Sequence, residues 1–179
     1  MDYQEILTFW FEECEPSQWF KKDFTFDALI KEKFSTIHTQ VAQGEKSIWR
    51  KTIEGRLAEI IVLDQFSRNL FRDDPQSFAY DGMALVLTQE AMATGELDRL
   101  TTQERAFLFM PLMHSESLVI HEEALKRFAE KGMEHNLEFE NKHRDILVRF
   151  GRYPHRNEIL GRSSTEEEIT FLKEPGSSF

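Results

Sequence analysis

Gly55 to Arg72, GRLAEIIVLDQFSRNLFR, is apolar on nearly every face as far as Leu63. A surface helix shows a polar side within two turns; a run that lacks one marks a helix enclosed by others. The stretch therefore predicts a helical domain packed around it. After Leu63 the character reverses, with Asp64, Gln65, Arg68, Asn69 and Arg72 in quick succession. Asp64, Arg68 and Arg72 fall four apart along one edge, so Asp64 and Arg68 can pair within the helix, worth only about 0.3–0.5 kcal/mol if exposed. If buried, Asp64 is either an ion neutralised by an arginine from elsewhere or a carboxylate kept for a ligand or for catalysis.

Toward the N-terminus, Tyr3, Ile6, Leu7 and Trp10 recur at helical spacing, and Pro16 marks the end of that helix. The next has Thr25 as its expected N-cap, Asp27 in the first turn and Phe24 stapled on Leu29; its stripe runs from Phe26 to Val41 and Gly44 closes it. His38 lies just off the stripe and reads as structural or exposed. Toward the C-terminus, Asp74 with Pro75 opens a helix expected to run to Gly95, and Thr101 with Glu104 forms a capping box. Pro111 should kink or break that helix near His114, Ser115 and Glu116, leaving His114 or Glu116 against polar groups.

Leu118, His121, Leu125 and Phe128 continue at helical spacing to Gly132. Phe139, His143, Ile146 and Phe150 form the stripe of a helix over 135–150, which turns His143 inward. Beyond Pro154 a short helix is expected around Ile159 and Leu160, and Ser164 with Glu167 makes a second capping box ahead of Ile169 and Leu172. No stretch alternates like a strand and no linker divides the chain, which gives one all-α domain, residues 1–179, of about eight to ten helices. Helix pairs joined by short turns suit an α-α superhelix, although no 34-residue self-similarity announces tetratricopeptide repeats. Trp10, Phe34, Leu57, Ile60, Ile61, Phe107, Leu125 and Phe150 are the expected core.

A net charge of -10 argues against nucleic acid and anionic lipid as partners, because phosphate contacts need an excess of Lys and Arg. Cys14 is the single cysteine, so neither a disulfide nor a cysteine-based zinc site is expected, and a reducing cytoplasm fits. The first residues, MDYQEILTFWFEE, are no signal peptide, and the longest apolar run, Ala106 to Met113, is too short to cross a bilayer, so a soluble protein is expected. Phosphate-loop, dinucleotide and serine-elbow patterns are absent. Glu140 and His143 have the spacing of a carboxylate-bridged metal site, but only one copy exists, and no metal or cofactor is expected.

Between Arg149 and Arg162, RFGRYPHRNEILGR sets four arginines against Glu158, a charge of +3, so the rest of the chain stands at -13. Guanidinium forks suit carboxylates and phosphates, so the cluster either holds an anionic ligand or ties down the protein's own acidic side chains. With the polar end of the central stretch and the Pro111 break, it supplies a candidate pocket. Asp64, His114 and Glu116 are the acid–base candidates, and Arg68, Arg72, His143, Arg149, Arg152, His155 and Arg156 the anion-binding ones. Two further roles remain open: a protein-interaction module using a concave helical face, and a homodimer with the arginines merely neutralising acids.

The phrases FWFEE, WFKKDFTFD, LDQFSRNLFR, FAYD, ERAFLFMPLMHSES and RFGRYPHRNEILGRSSTEEEITFLKEPGSSF together resemble the bacterial family called domain of unknown function 924. The resemblance runs end to end and implies an all-helical fold similar to tetratricopeptide repeats, with no established activity or site residues. It also implies Pro at position 67, where this chain has Ser67, so the central helix is expected to run straighter here.

Overall fold

A computed structural model describes residues 1–179, which contain helices and no strand. The centre is α4, Ile53–Ile61, continued by a wider π-helical segment, Val62–Phe66, and by α5, Ser67–Leu70. Ile53, Leu57, Ala58 and every residue from Glu59 to Leu63 are almost fully enclosed. Thr52 caps the start by accepting from the Gly55 amide at 3.1 Å. Gly55 is required sterically: a Cβ there would lie 2.1 Å from the Trp49 carbonyl oxygen.

Around this axis pack α1 (Tyr3–Thr8), α6 (Asp81–Ala93) and α7 (Thr102–His114), while α3 (Phe24–Ala42) lies on α5 and the π segment. The chain between α1 and α3 adds a π turn, Phe9–Glu13, and the short α2 (Pro16–Trp19). Then α8 (Leu118–Phe128) packs on α7 and α9 (Glu134–Phe150) on α8, before the final α10 (Glu166–Phe171). One hydrophobic core takes in all the large helices up to α8, and a smaller cluster of Ile146, Leu147, Tyr153 and Phe171 joins α9 to α10. The core is aromatic, as the Phe count implies: Trp10 meets Phe66 and Phe107 edge-on at 5.5 and 5.6 Å.

The capping box of Thr101 and Glu104 forms as read, and Gly44, Gly95 and Gly151 take the left-handed conformation that ends a helix. Other boundaries shift. Asp23, not Thr25, caps α3, accepting from the Thr25 and Phe26 amides at 2.9 and 3.2 Å; Phe24 is then the first helical residue and stands exposed instead of stapling Leu29. Pro16 opens α2 instead of merely stopping α1. Asp74 and Pro75 start only a three-residue 3-10 turn, with α6 beginning at Asp81. The second box is Thr165 with Glu168, one residue later than expected, and residues 159–160 form a turn. Leu125 and Phe150 are half-buried, and Ile169 and Leu172 face outward; the other six expected core residues are enclosed.

α7 continues through Pro111 and breaks after His114, where Ser115 is extended. Sitting in the last turn, Pro111 deprives only the Phe107 carbonyl of its partner. The central helix runs on unbroken through Ser67 into α5. Its winding widens over Val62–Phe66, and the Ser67 hydroxyl donates back to the Leu63 carbonyl at 2.6 Å.

Replacing Ile61 by Ala should cost about 2–5 kcal/mol in chemical denaturation, against about 0.5 kcal/mol or less for the outward Ile169. Gly55→Ala should exceed a helix-propensity effect and lower stability, because its methyl meets backbone that cannot move aside; a neutral or stabilising result would refute that close approach.

Candidate functional site

The π segment turns five consecutive residues, Val62 to Phe66, into the interior, and with them the Asp64 carboxylate, 1 % exposed. Such widened turns recur at functional sites. Three groups meet the carboxylate: the Gln65 amide at 2.6 Å, the Arg68 guanidinium at 3.4 Å and the His114 Nδ1 at 2.7 Å. Burial alone would raise the Asp64 pKa, but His114, Arg68 and these hydrogen bonds outweigh it and hold the carboxyl at about 2. An ionised carboxylate only accepts, so Nδ1 of His114 carries a proton and donates it to Asp64, while Nε2 has no protein partner. The break behind Pro111 puts this half-buried imidazole at the end of α7.

Arg68 extends the arrangement. Its Nη1 also donates to the Asp64 backbone oxygen at 2.7 Å, and its fork grips Asp81 at 2.9 and 3.0 Å. Arg156 approaches the same Asp81 at 3.4 Å, donates to the His114 carbonyl at 2.9 Å, and lies between the rings of Phe78 and Tyr153 at 4.6 and 4.8 Å. It is 7 % exposed, burial lowers its pKa, and its Nε–H has no partner. A buried cation with an unmet donor is an uncommon and costly feature.

His143 and His155 stand nearby. The His143 ring centroid lies 6.5 Å from that of His114, and its Nδ1 donates to the Phe139 carbonyl at 2.7 Å. Burial, helped by the surrounding histidines, lowers His143 to about 3; burial, then Arg156, lowers His155 to about 4. His155 Nδ1 is enclosed without a partner. Behind them His121 and Glu140 form a fully buried pair at 2.5 Å, with His121 Nε2 donating to the Ser115 carbonyl at 2.8 Å and the Tyr153 hydroxyl to that of Met113 at 2.6 Å. Burial raises the Glu140 pKa.

The structure thus brings Asp64, Arg68, His114, His143, His155 and Arg156 together. The remaining candidates are engaged in ion pairs elsewhere. Arg72 is clamped on Asp27 with help from Asn69, and Glu116 receives both Arg162 and the Tyr153 amide. Arg149 pairs with Glu167, and Arg152 with Glu168 and the Ser163 carbonyl. None of these contacts reaches Asp64 or His114, so the expected convergence of the arginine stretch narrows to His155 and Arg156. Asp81, Phe78, Tyr153, His121 and Glu140 are the members that the sequence did not single out as a set. Cys14, buried and with its thiol pushed up to about 11 by that burial, is not a reactive nucleophile. Two surface hollows, of about 340 and 400 Å3, lie elsewhere, beside Phe9 and Lys33 and beside Arg105 and Glu130.

His38, at about 4, and His143 and His155 all refuse protons that the unfolded chain, at about 6.5, accepts. Stability is therefore full above pH 6.5 and falls as pH drops toward 4, by about 1.4 kcal/mol per pH unit for each histidine. Glu140, raised in the fold, opposes part of this loss. In urea denaturation at several pH values between 7.5 and 4.5, His143→Gln should flatten the dependence by about one proton; an unchanged slope would place His143 in solvent.

Nothing among curated proteins matches the chain. Its fold is similar to the solved structure of a protein of unknown function from Agrobacterium tumefaciens, with a TM-score of 0.90 and 34% identity over 96% of each chain. A family model described as bacterial protein of unknown function, DUF924, matches residues 6–176. The chain belongs to that family.

Proposed function

We propose that the protein binds a small anionic molecule, a carboxylate or a phosphate, and performs acid–base chemistry on it with the Asp64–His114 pair. One observation carries this reading: a buried carboxylate fixes His114 with Nε2 free, beside a buried Arg156 whose Nε–H is unmet. Orienting an imidazole through Nδ1 is how a general base is prepared, and such a base contributes about 10²–10⁴ in rate. No activated serine, threonine or cysteine accompanies it, so Nε2 would take a proton directly from the substrate or from an attacking water. The resulting imidazolium is stabilised by Asp64, which stays ionised. Arg156, with Arg68 behind it, supplies the positive side toward an anion. A reducing cytoplasm suits a chain whose one cysteine is a buried free thiol, and no helix is long and apolar enough to cross a membrane.

A panel of carboxylic acids, phosphate monoesters and their nitrophenyl esters tests the reading. At a hundredfold excess over Kd a ligand should stabilise wild type by about 2.7 kcal/mol, and Arg156→Gln should abolish that gain. His114→Gln, similar in volume, should retain binding while losing about a hundredfold or more in turnover. If no acid or phosphate raises the melting temperature and no ester is turned over, the pair is structural.

A further inference from the structure

Phe179 lies against the histidines just described. Its ring is stacked on the His143 imidazole, 3.6 Å between centroids at 19°, and stands edge-on to His155 at 5.7 Å. Tyr153 backs both imidazoles, perpendicular to His143 at 5.6 Å and tilted against His155 at 5.7 Å. Burial holds His143 neutral above about pH 3, so it presents an ordinary aromatic face. The two imidazoles, backed by Tyr153, thus shape a half-open, ring-sized slot, and His143 places that slot one imidazole away from His114.

The occupant is weakly held. Phe179 is still 50 % exposed, and no backbone hydrogen bond ties residues 175–179 to the rest of the chain. The main anchor is the Ser177 hydroxyl, which donates to the Leu172 carbonyl at 3.2 Å just after the left-handed Gly176.

We infer that His143, Tyr153 and His155 form an aromatic-ring subsite, filled in the free protein by Phe179 and opened when residues 175–179 give way to the aryl group of a ligand. Combined with the anion reading above, on which the acidic half of the ligand alone rests, this makes the ligand class an aryl-substituted small acid. Phe179 then acts as an internal competitor whose removal raises affinity. If the slot is filled about nine-tenths of the time, Phe179→Ala should tighten aryl binding about tenfold.

Phe179→Ala leaves the core untouched, so the full chain can be compared with wild type by calorimetric or NMR titration against phenylacetate, acetate and benzyl alcohol. In the variant the His143 ring protons should lose the ring-current shift of a stacked phenyl. Phenylacetate should bind the variant about tenfold tighter than wild type, with acetate unchanged. If benzyl alcohol gains in the same way while neither acid outbinds it, the ring subsite stands and the anion reading fails. If neither aryl compound binds the variant better than wild type, the subsite is overturned, whatever acetate does.

Discussion

Burying a carboxylate costs several kcal/mol unless it is paired and hydrogen-bonded, and the central helix buries two, Glu59 and Asp64. Glu59 is met by the Arg50 fork at 2.8 and 2.6 Å, which ties the turn before α4 to the helix it precedes. Asp64 recruits from further away. Its partner His114 fixes the end of α7; its partner Arg68 grips Asp81 at the start of α6; Asp81 meets Arg156; and Arg156 returns to the His114 carbonyl. The pairings close into a ring through four segments distant in sequence. Removing one member strands the next, so the polar end of the core is as determinate as its apolar part.

The π segment carries the start of the polar ring on a helix that is otherwise dry. Asp64 and Gln65 are enclosed there with Val62, Leu63 and Phe66, as Leu57 to Ile61 are in the α-helical part, because neighbours cover the central helix on every side. Ser67 finishes the adjustment. Its one hydroxyl proton goes to the Leu63 carbonyl, so the 2.8 Å contact with His38 is a donation from Nε2 of a neutral imidazole. Proline, the residue implied by the resemblance, could make neither contact. This chain thus holds the end of its central helix through a buried serine–histidine pair, and His38, readable only as lying off the stripe, has that task.

Apolar periodicity made the helices legible, because burial of a stripe is a property of the segment itself. Caps were legible only to within a residue or two: Ser164 and Thr165 are chemically alike, and which of them caps α10 depends on Glu168 reaching back to Arg152. The site was half legible. Asp64 and His114 stood out as polar residues in apolar segments, and Arg156 as part of a basic run. The same run misled for Arg149 and Arg152, whose carboxylates, Glu167 and Glu168, lie on a helix that folds back on them. Asp81 fell inside the helix expected from Pro75 to Gly95 with nothing to set it apart, and His121 sat on an apolar stripe. Its pairing with Glu140 exists only because α8 lies on α9.

Charge balance decides what such a ring can accept. Asp64 and Asp81 offset Arg68 and Arg156, so with a neutral His114 imidazole the ring carries no net charge, and its arginines hold no surplus for a ligand. The opening is instead local: Arg156 keeps an unmet Nε–H, and His114 Nε2 can take up a proton that Asp64 stabilises. A monoanion arriving with a proton restores neutrality, whereas one arriving alone would face two carboxylates across a few ångströms of low-dielectric interior. That condition couples ligand charge to the protonation of His114. It is the physical ground for treating the pair as an acid–base device even though every arginine of the basic run already meets a carboxylate, Arg156 sharing Asp81 with Arg68.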